Sequence, residues 1–474
     1  MRKNSVDMTE GPILRNVIAY TLPIIFTGIL QLLFNAADMI VVGRFCGSVC
    51  VGAVGATGAL INLLINLFIG LSVGAGVTVA HAVGANDHQA VHQAVHTAIL
   101  TSVISGVFLT AVGIPLAGKL LAWMDTPADV LPLSTLYMRI YFCGILSTMV
   151  YNFGAAIMRA MGDTRSPLYF LLFSGVINVL LNLLFVLVFK MTVDGVAWAT
   201  VASQTVSAFL VVRALSKRDD SGMLSFRALK IHPKALISIL KIGVPAGLQS
   251  IMFNISNVFI QSSVNSFESV DVVSGNAAAA NIEGFVYVSM NSFNQTALNF
   301  TGQNVGAGKL KRVPKILGCC LACVSIFGIV LGVSGYLAGR PLLSIYITDS
   351  PDAIGYGLIR LRYICLVYFL CGLMDVITGS IRGMGYSFAP MCITVLGVCV
   401  MRMVWIFTVF RNPAWHTLDV LYLSYPISWI ISALAQTVAF VIMYRQLTGR
   451  FEGGGGERPP RKVPAKTAEK AAEK

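Results

Sequence analysis

Residues 159–167 read RAMGDTRSP, and residues 382–390 read RGMGYSFAP. The two share an arginine, a Met-Gly step and a closing proline at an offset of 223, the mark of a duplicated unit. Working outward, Pro23 pairs with Pro245, Asn35 with Asn257, and Val83-Gly-Ala with Val305-Gly-Ala, each at an offset of 222. Asp125-Thr-Pro and Asp349-Ser-Pro add a weaker match. Anchors in constant register over most of the chain describe two halves built on one plan.

The halves are apolar. Of 474 residues, 56% are hydrophobic and only 12% charged, where a soluble domain carries about a quarter. Apolar runs of spanning length fall near 15–41, 52–83, 95–118, 134–158, 167–190 and 193–213, then 237–263, 275–305, 315–338, 357–381, 388–410 and 419–445. The chain therefore reads as an all-α polytopic membrane protein of twelve transmembrane helices in two six-helix bundles related by a pseudo-two-fold repeat. The first run is too long for a secretory signal and reads as a retained helix. An even number of helices per half keeps both repeats in one orientation, the plan of proteins that rock two bundles about a midplane cavity.

Charge placement orders the segments. The net charge is +13, and 25 of the 34 lysines and arginines fall in the set of connections that contains both termini. That asymmetry puts both termini in the cytoplasm and argues against a nucleic-acid footprint. The expected organisation is an N-terminus over 1–14, a bundle over 15–215, a basic linker over 216–236, a second bundle over 237–446 and a disordered basic tail over 447–474. The ten cysteines lie mostly within apolar runs, where they act as small hydrophobes rather than as a disulfide or zinc framework.

Polar residues inside such runs must face protein or water. In the first run Thr27, Gln31, Asn35 and Asp38 fall on one helical face, ending in the only acid of that span. Asp38 reads either as a helix-end acid or, on the stronger reading, as a cation or proton site. Asn178 and Asn182, at i and i+4 in the fifth span, and Thr200 in the sixth are its expected partners, although the amide pair taken alone reads first as interhelical glue. The matching stripe of the second half holds Gln249, Asn254, Asn257 and Gln261, with Ile260 where Asp38 stands. Glu283 and Asp375, the latter matching Asn152, supply its acids, and Arg402 is expected to pair with one of them. Gln31, Asn35, Asn152, Gln249, Asn257, Glu283, Asp375 and Arg402 are thus the candidate cavity lining. His88, His92 and His96 share a helical face, but no acid or cysteine completes a metal set, so they read as a wet helix start. Gly302-Gln-Asn-Val-Gly-Ala-Gly308 follows no strand and reads as a helix-packing or loop segment, not a nucleotide loop.

LPIIFTGILQLLFNAADMIVVGR over 22–44, VGAND over 83–87, and RAMGDTRSP with its echo, in this order and spacing, resemble the multidrug and toxic compound extrusion (MATE) family over about residues 10–447. The resemblance implies a V-shaped cavity between two bundles. It implies antiport of cationic, amphipathic compounds against H⁺ or Na⁺, with no cofactor, no enzymatic activity and small organic cations as partners. It implies a monomer among membrane lipids, in a bacterial plasma membrane. By position, the family's first-helix acid corresponds to Asp38, its fifth-helix polar pair to Asn178 and Asn182, and a sixth-helix threonine to Thr200. The pattern is similar to the bacterial MepA-like branch. Asn182 stands where some members carry an acid. The seventh-helix acid of one branch is missing near Phe253 and Asn254, and Asp375 sits about four residues from its tenth-helix acid. The competing reading within the same superfamily is a flippase for lipid-linked oligosaccharide, which would want a more basic cavity. A major-facilitator carrier would carry a charged Gly-Asp-Arg-Gly-Arg type loop after its second span, and GANDHQAVHQA over 84–94 holds no Lys or Arg.

Overall fold

The computed structural model describes residues 5–124, 126–220, 222–347 and 350–452. Asp125, Asp349 and the tail from Gly453 lie outside the described residues. The first half comprises α1 (Ile13–Phe45), α2 (Ser48–Gly84), α3 (His88–Trp123), α4 (Leu131–Cys143), α5 (Ile145–Ala160), α6 (Arg165–Leu183) and α7 (Val193–Ser216). The second comprises α8 (Pro233–Asn265), α9 (Val270–Gly306), α10 (Val313–Leu337), α11 (Gly339–Tyr346), α12 (Pro351–Ile364), α13 (Tyr368–Gly383), α14 (Phe388–Thr394), α15 (Met401–Trp405) and α16 (Leu418–Glu452). Matched helices have matched lengths: α1 and α8 have 33 residues, α2 and α9 have 37, and α5 and α13 have 16. Even a π-helical turn recurs, at Leu184–Val188 and Ile406–Phe410.

The paired motifs close the same turn twice. Gly162 N–H donates to Arg159 O at 2.9 Å and Asp163 N–H to Met158 O at 2.9 Å; Gly385 and Tyr386 repeat this to Arg382 O (2.8 Å) and Ile381 O (3.3 Å). These bonds satisfy the last carbonyls of α5 and α13. Gly162 and Gly385 sit at φ +89° and +93°, a conformation that a side chain would strain.

Among the described residues ten helices are long and apolar enough to cross a membrane, and α4 with α5, bent by 49°, makes an eleventh if the pair is one span. The remaining expected crossing is α9, whose sequence is too polar for the same criterion. Its neighbours explain the departure: α9 packs against α1, α2, α10, α12 and α13, so Asn276, Glu283, Asn299, Gln303 and Asn304 are buried against protein.

The halves meet through α2 and α8. Gly70 and Gly74 face Gly243 and Gly247, and a methyl added to Gly70 or Gly74 would lie 2.2 Å from Gly247 N or Ile239 O. Each helix thus carries a Gly-x-x-x-Gly step that lets the backbones touch, a pattern present in the sequence but absent from the reading above. Among the described residues, the hydrogen bonds joining the halves all lie toward the face where the chain enters α1 and leaves α16. They include Thr21 Oγ1 to Thr296 Oγ1 (2.8 Å), Thr78 Oγ1 to Ser238 Oγ (3.0 Å), His81 Nε2 to Gly383 O (2.7 Å) and Gln303 Nε2 to Ala160 O (2.7 Å). The Gly302–Gly308 segment is part of this closure: a methyl on Gly306 would sit 2.1 Å from His81 O.

Residues 5–12 reinforce it as a strap. Val6 N–H donates to Gly162 O (3.0 Å) in the first half, while Asn304 Nδ2 donates to Met8 O (2.8 Å), and Lys309 and Arg312 to the carbonyls of Thr9 and Gly11, in the second. Met8 is fully buried. A segment that reads as a plain polar N-terminus is therefore part of the packing, because its carbonyls, which sequence does not display, supply the contacts. His96 likewise departs from a wet helix start. It is buried, and its Nε2 accepts from Ser225 N–H of the linker at 3.0 Å. At the other end of the chain α16 continues through Glu452, past the expected boundary at 446.

Two outcomes follow for this face. Gly74→Ala should cost about 1–3 kcal/mol by overpacking, read as a lowered thermal midpoint in detergent. Gly58→Ala on the same helix, where an added methyl meets nothing within 4 Å, should leave that midpoint unchanged. Asn304→Ala should release the strap, read as faster amide exchange over residues 6–9.

Candidate functional site

On the side away from this closure, α1, α6 and α7 bring the first-half residues together. Gly175 of α6 makes this possible: a methyl there would lie 1.9 Å from a ring carbon of Phe34, so α6 accepts that ring directly. One turn beyond Phe34 on α1 stands Asp38, and one and two turns beyond Gly175 stand Asn178 and Asn182. Asn182 Nδ2 donates to Asp38 Oδ1 and, at 3.3 Å, to Asn178 Oδ1. Thr200 of α7 brings its hydroxyl within hydrogen-bonding reach of the Asp38 carboxylate and donates to Val196 O at 3.0 Å. Asn178 and Asn182 are buried, Asp38 half-buried.

One atom in this cluster has no partner among the described residues. Asn182 Oδ1 is buried and accepts no hydrogen bond there, while Nδ2 of the same amide donates to Asp38 and Asn178. An orphaned carbonyl oxygen beside a carboxylate, a second amide oxygen and a hydroxyl makes a set of hard oxygen donors. The set suits a monovalent cation as substrate, or a proton on Asp38 that the freed oxygen could accept. Among the described residues no group of three His, Cys, Asp or Glu side chains could hold a metal ion.

The rest of the α1 stripe does not join this cluster. Gln31 and Asn35 are exposed, and Thr27 Oγ1 donates back to Pro23 O at 2.7 Å. Asn152 is half-buried and donates to Thr148 O at 2.9 Å.

The second half is organised otherwise. Glu283 of α9 is buried and held in both oxygens by Arg360 of α12, with Nε to Oε1 at 2.7 Å and Nη2 to Oε2 at 2.8 Å. Arg360 Nη1 also donates to Asn276 Oδ1, which accepts from Tyr422 OH at 2.9 Å. This closed network corrects the expectation that Arg402 neutralises one of the acids. Arg360 takes Glu283, and Arg402 makes no ion pair with Asp375 among the described residues. The signal for Arg360 was in the repeat. Glu283 and Arg360 are both charges without a charged counterpart, facing Ile61 and Tyr137 at offsets of 222 and 223.

Arg402 is instead buried over Tyr425, its guanidinium carbon 3.9 Å from the ring centre, with Nε donating to Ser428 Oγ at 3.1 Å. It shares a cavity of about 330 Å³ with Asn257, Asp375, Phe253, Tyr287, Tyr368 and Trp429, and Asn66 of the first half also lines it. Gln249, another predicted lining residue, is buried off this cavity and accepts from Arg382 Nη2 at 2.8 Å.

Comparison with known proteins agrees with this architecture. The family model MatE matches the chain twice, over residues 23–184 and 245–408, each match beginning at one of the paired prolines. "Probable multidrug resistance protein YpnP" of Bacillus subtilis is 28% identical over 396 residues, covering 84% of this chain and 88% of that protein. "Multidrug export protein MepA" of Staphylococcus aureus is 19% identical over 280 residues, 59% of this chain and 61% of its own length. A structure described as the outward-facing conformation of a multidrug resistance MATE family transporter of the MOP superfamily superposes with a TM-score of 0.87. It does so at 20% identity, over 94% of this chain and 99% of its own. The chain is a multi-pass membrane protein that belongs to the MatE family of multidrug efflux transporters, and it is a transporter and not an enzyme.

Proposed function

We propose that the chain exports cationic, amphipathic organic compounds in exchange for H⁺ or Na⁺, with Asp38 as the coupling group. The observation that carries this reading is the orphaned Asn182 Oδ1 beside the Asp38 carboxylate. A proton or Na⁺ arriving at Asp38 changes which atoms of Asn182 are wanted. A protonated carboxyl donates, so the amide turns its free oxygen toward it; a bound Na⁺ takes that oxygen as a ligand. Either change rearranges the contacts by which α1 is held to α6 and α7. An ion drives a transport cycle only if it binds one arrangement of the bundles better than the other. The cluster, made from three helices, supplies a place for that difference.

Direction follows from charge. With the basic connections in the cytoplasm, the closed face is cytoplasmic and the Asp38 cluster lies toward the outer side of a bacterial plasma membrane. The ion enters there and the organic cation leaves there. Return of the bundles needs the α2–α8 contact and the strap to part. We take the monomer as the transporting unit, since both halves of the cavity come from one chain.

The test is ethidium export from proteoliposomes under separately imposed proton and sodium gradients. Export should follow one of the two gradients, and Asp38→Asn should reduce it at least about tenfold, the factor for about 1.4 kcal/mol of lost coupling. Asn182→Ala should reduce it less. Equal export by wild type and Asp38→Asn, or export indifferent to both gradients, contradicts the reading.

A further inference from the structure

The linker between the halves is pinned to the first bundle at two points. Ser225 N–H donates to His96 Nε2 and His232 N–H to Thr97 Oγ1, each at 3.0 Å, and both acceptors belong to fully buried residues of α3. Leu224, beside the first anchor, is buried in an apolar cluster with residues of α3, α5 and α7. These bonds fix a depth. α3 begins at His88, so His96 stands about 12 Å further along it at about 1.5 Å per residue. There the apolar run near 95–118 begins. The linker therefore folds back along the bundle to the edge of the apolar span, which is the level of the lipid headgroups.

Around these anchors the linker turns apolar and basic side chains outward. Phe226, in a 3₁₀ turn over Phe226–Ala228, is 65% exposed, and Met223 is 42% exposed. Arg227, Lys230 and Lys234 are exposed with them and form no ion pair among the described residues. No acid nearby in sequence meets them. From Gly222 to Phe267 the chain contains no Asp or Glu, and Asp220 is taken by Arg218, with Nη2 to Oδ2 at 2.6 Å. An exposed ring is unfavourable in water, and three cations in an acid-free stretch repel one another. An anionic bilayer surface removes both costs: the ring enters the acyl boundary while the cationic groups stay among the phosphates. A soluble acidic partner would meet the charges, but at this depth the leaflet itself competes for the ring.

We infer that the linker is a docking surface for anionic phospholipid, with Phe226 and Met223 at the acyl boundary and Arg227, Lys230 and Lys234 on the headgroup phosphates. A zwitterionic lipid satisfies the ring but leaves the cations uncompensated, so the surface selects for net negative charge. The linker runs directly into α8, and the surface thereby ties the junction of the two halves to the leaflet it faces.

The test puts a lipid-reactive probe on this surface, in the full chain held in nanodiscs of phosphatidylcholine with phosphatidylglycerol as the minor lipid. On irradiation, Phe226→p-benzoylphenylalanine should form lipid adducts, read by mass spectrometry. Phosphatidylglycerol should exceed its share of the bilayer in them at least about threefold, somewhat under the factor that one basic side chain at an anionic surface supplies. The same probe at Phe173, exposed on α6 within the span, should form adducts in proportion to the bulk lipid. Joint Arg227→Gln, Lys230→Gln and Lys234→Gln substitution should return the Phe226 adducts to the bulk ratio. Salt at about 1 M, where charges are screened beyond about 3 Å, should do the same with the three cations in place. Should the triple variant fail to fold, the salt comparison decides alone. A bulk ratio at Phe226 with the charges intact, adducts there to protein alone, or none there while Phe173 gives them, overturns the inference. Enrichment that survives both the triple substitution and high salt overturns it too, since it would not come from these charges. No dye and no ion gradient enters, so the outcome stands apart from the export reading.

Discussion

The backbone contact between α2 and α8 is the constraint on which the other features rest. Two Gly-x-x-x-Gly steps bring the helices so close that a single methyl on Gly74 would overlap Ile239 O. In an apolar environment such contact is held by dispersion and close packing, since water expulsion supplies no drive between helices. The contact fixes where the halves touch. The polar bonds of His81, Gln303 and Asn304, and the strap over residues 5–12, then gather on the same face. Asp38 and the Arg402 cavity are left on the side where the halves are not joined.

On one plan the two halves carry different chemistry. The first keeps a single carboxylate among amides and a hydroxyl, with one amide oxygen spare. At the matching position the second has Ile260, buried in an apolar cluster. Its charges lie elsewhere: Glu283 and Arg360 pair with each other, while Asp375 and Arg402 make no ion pair among the described residues. A duplicated scaffold supplies geometry, and substitution at a few positions gives each half its own chemistry.

Much of this was legible in the sequence. The repeat was carried by turn glycines that must adopt positive φ and by prolines, residues whose backbone demands cannot be met by others. Helical spacing and the cost of a polar group in lipid singled out Asp38 and the Asn178–Asn182 face, and the family resemblance joined these with Thr200 as one cluster. The partner of Arg402 was not legible, because five buried charges, Glu283, Arg360, Asp375, Arg382 and Arg402, allow more than one pairing and spacing along a helix does not say which neighbour each meets. Nor was the strap, whose bonds run through main-chain carbonyls. The span over 275–305 was legible in spite of its polar residues, since a helix surrounded by protein need not be apolar.

The most direct test of the account is whether the closed face must open. Thr78 and Ser238 place their hydroxyls 3.0 Å apart across the α2–α8 contact. Cysteines at both positions should form a disulfide on oxidation, with each single substitution as control. The account predicts that oxidised Thr78→Cys/Ser238→Cys protein stops exporting dye and recovers on reduction. Export at the wild-type rate by the fully cross-linked protein would contradict it.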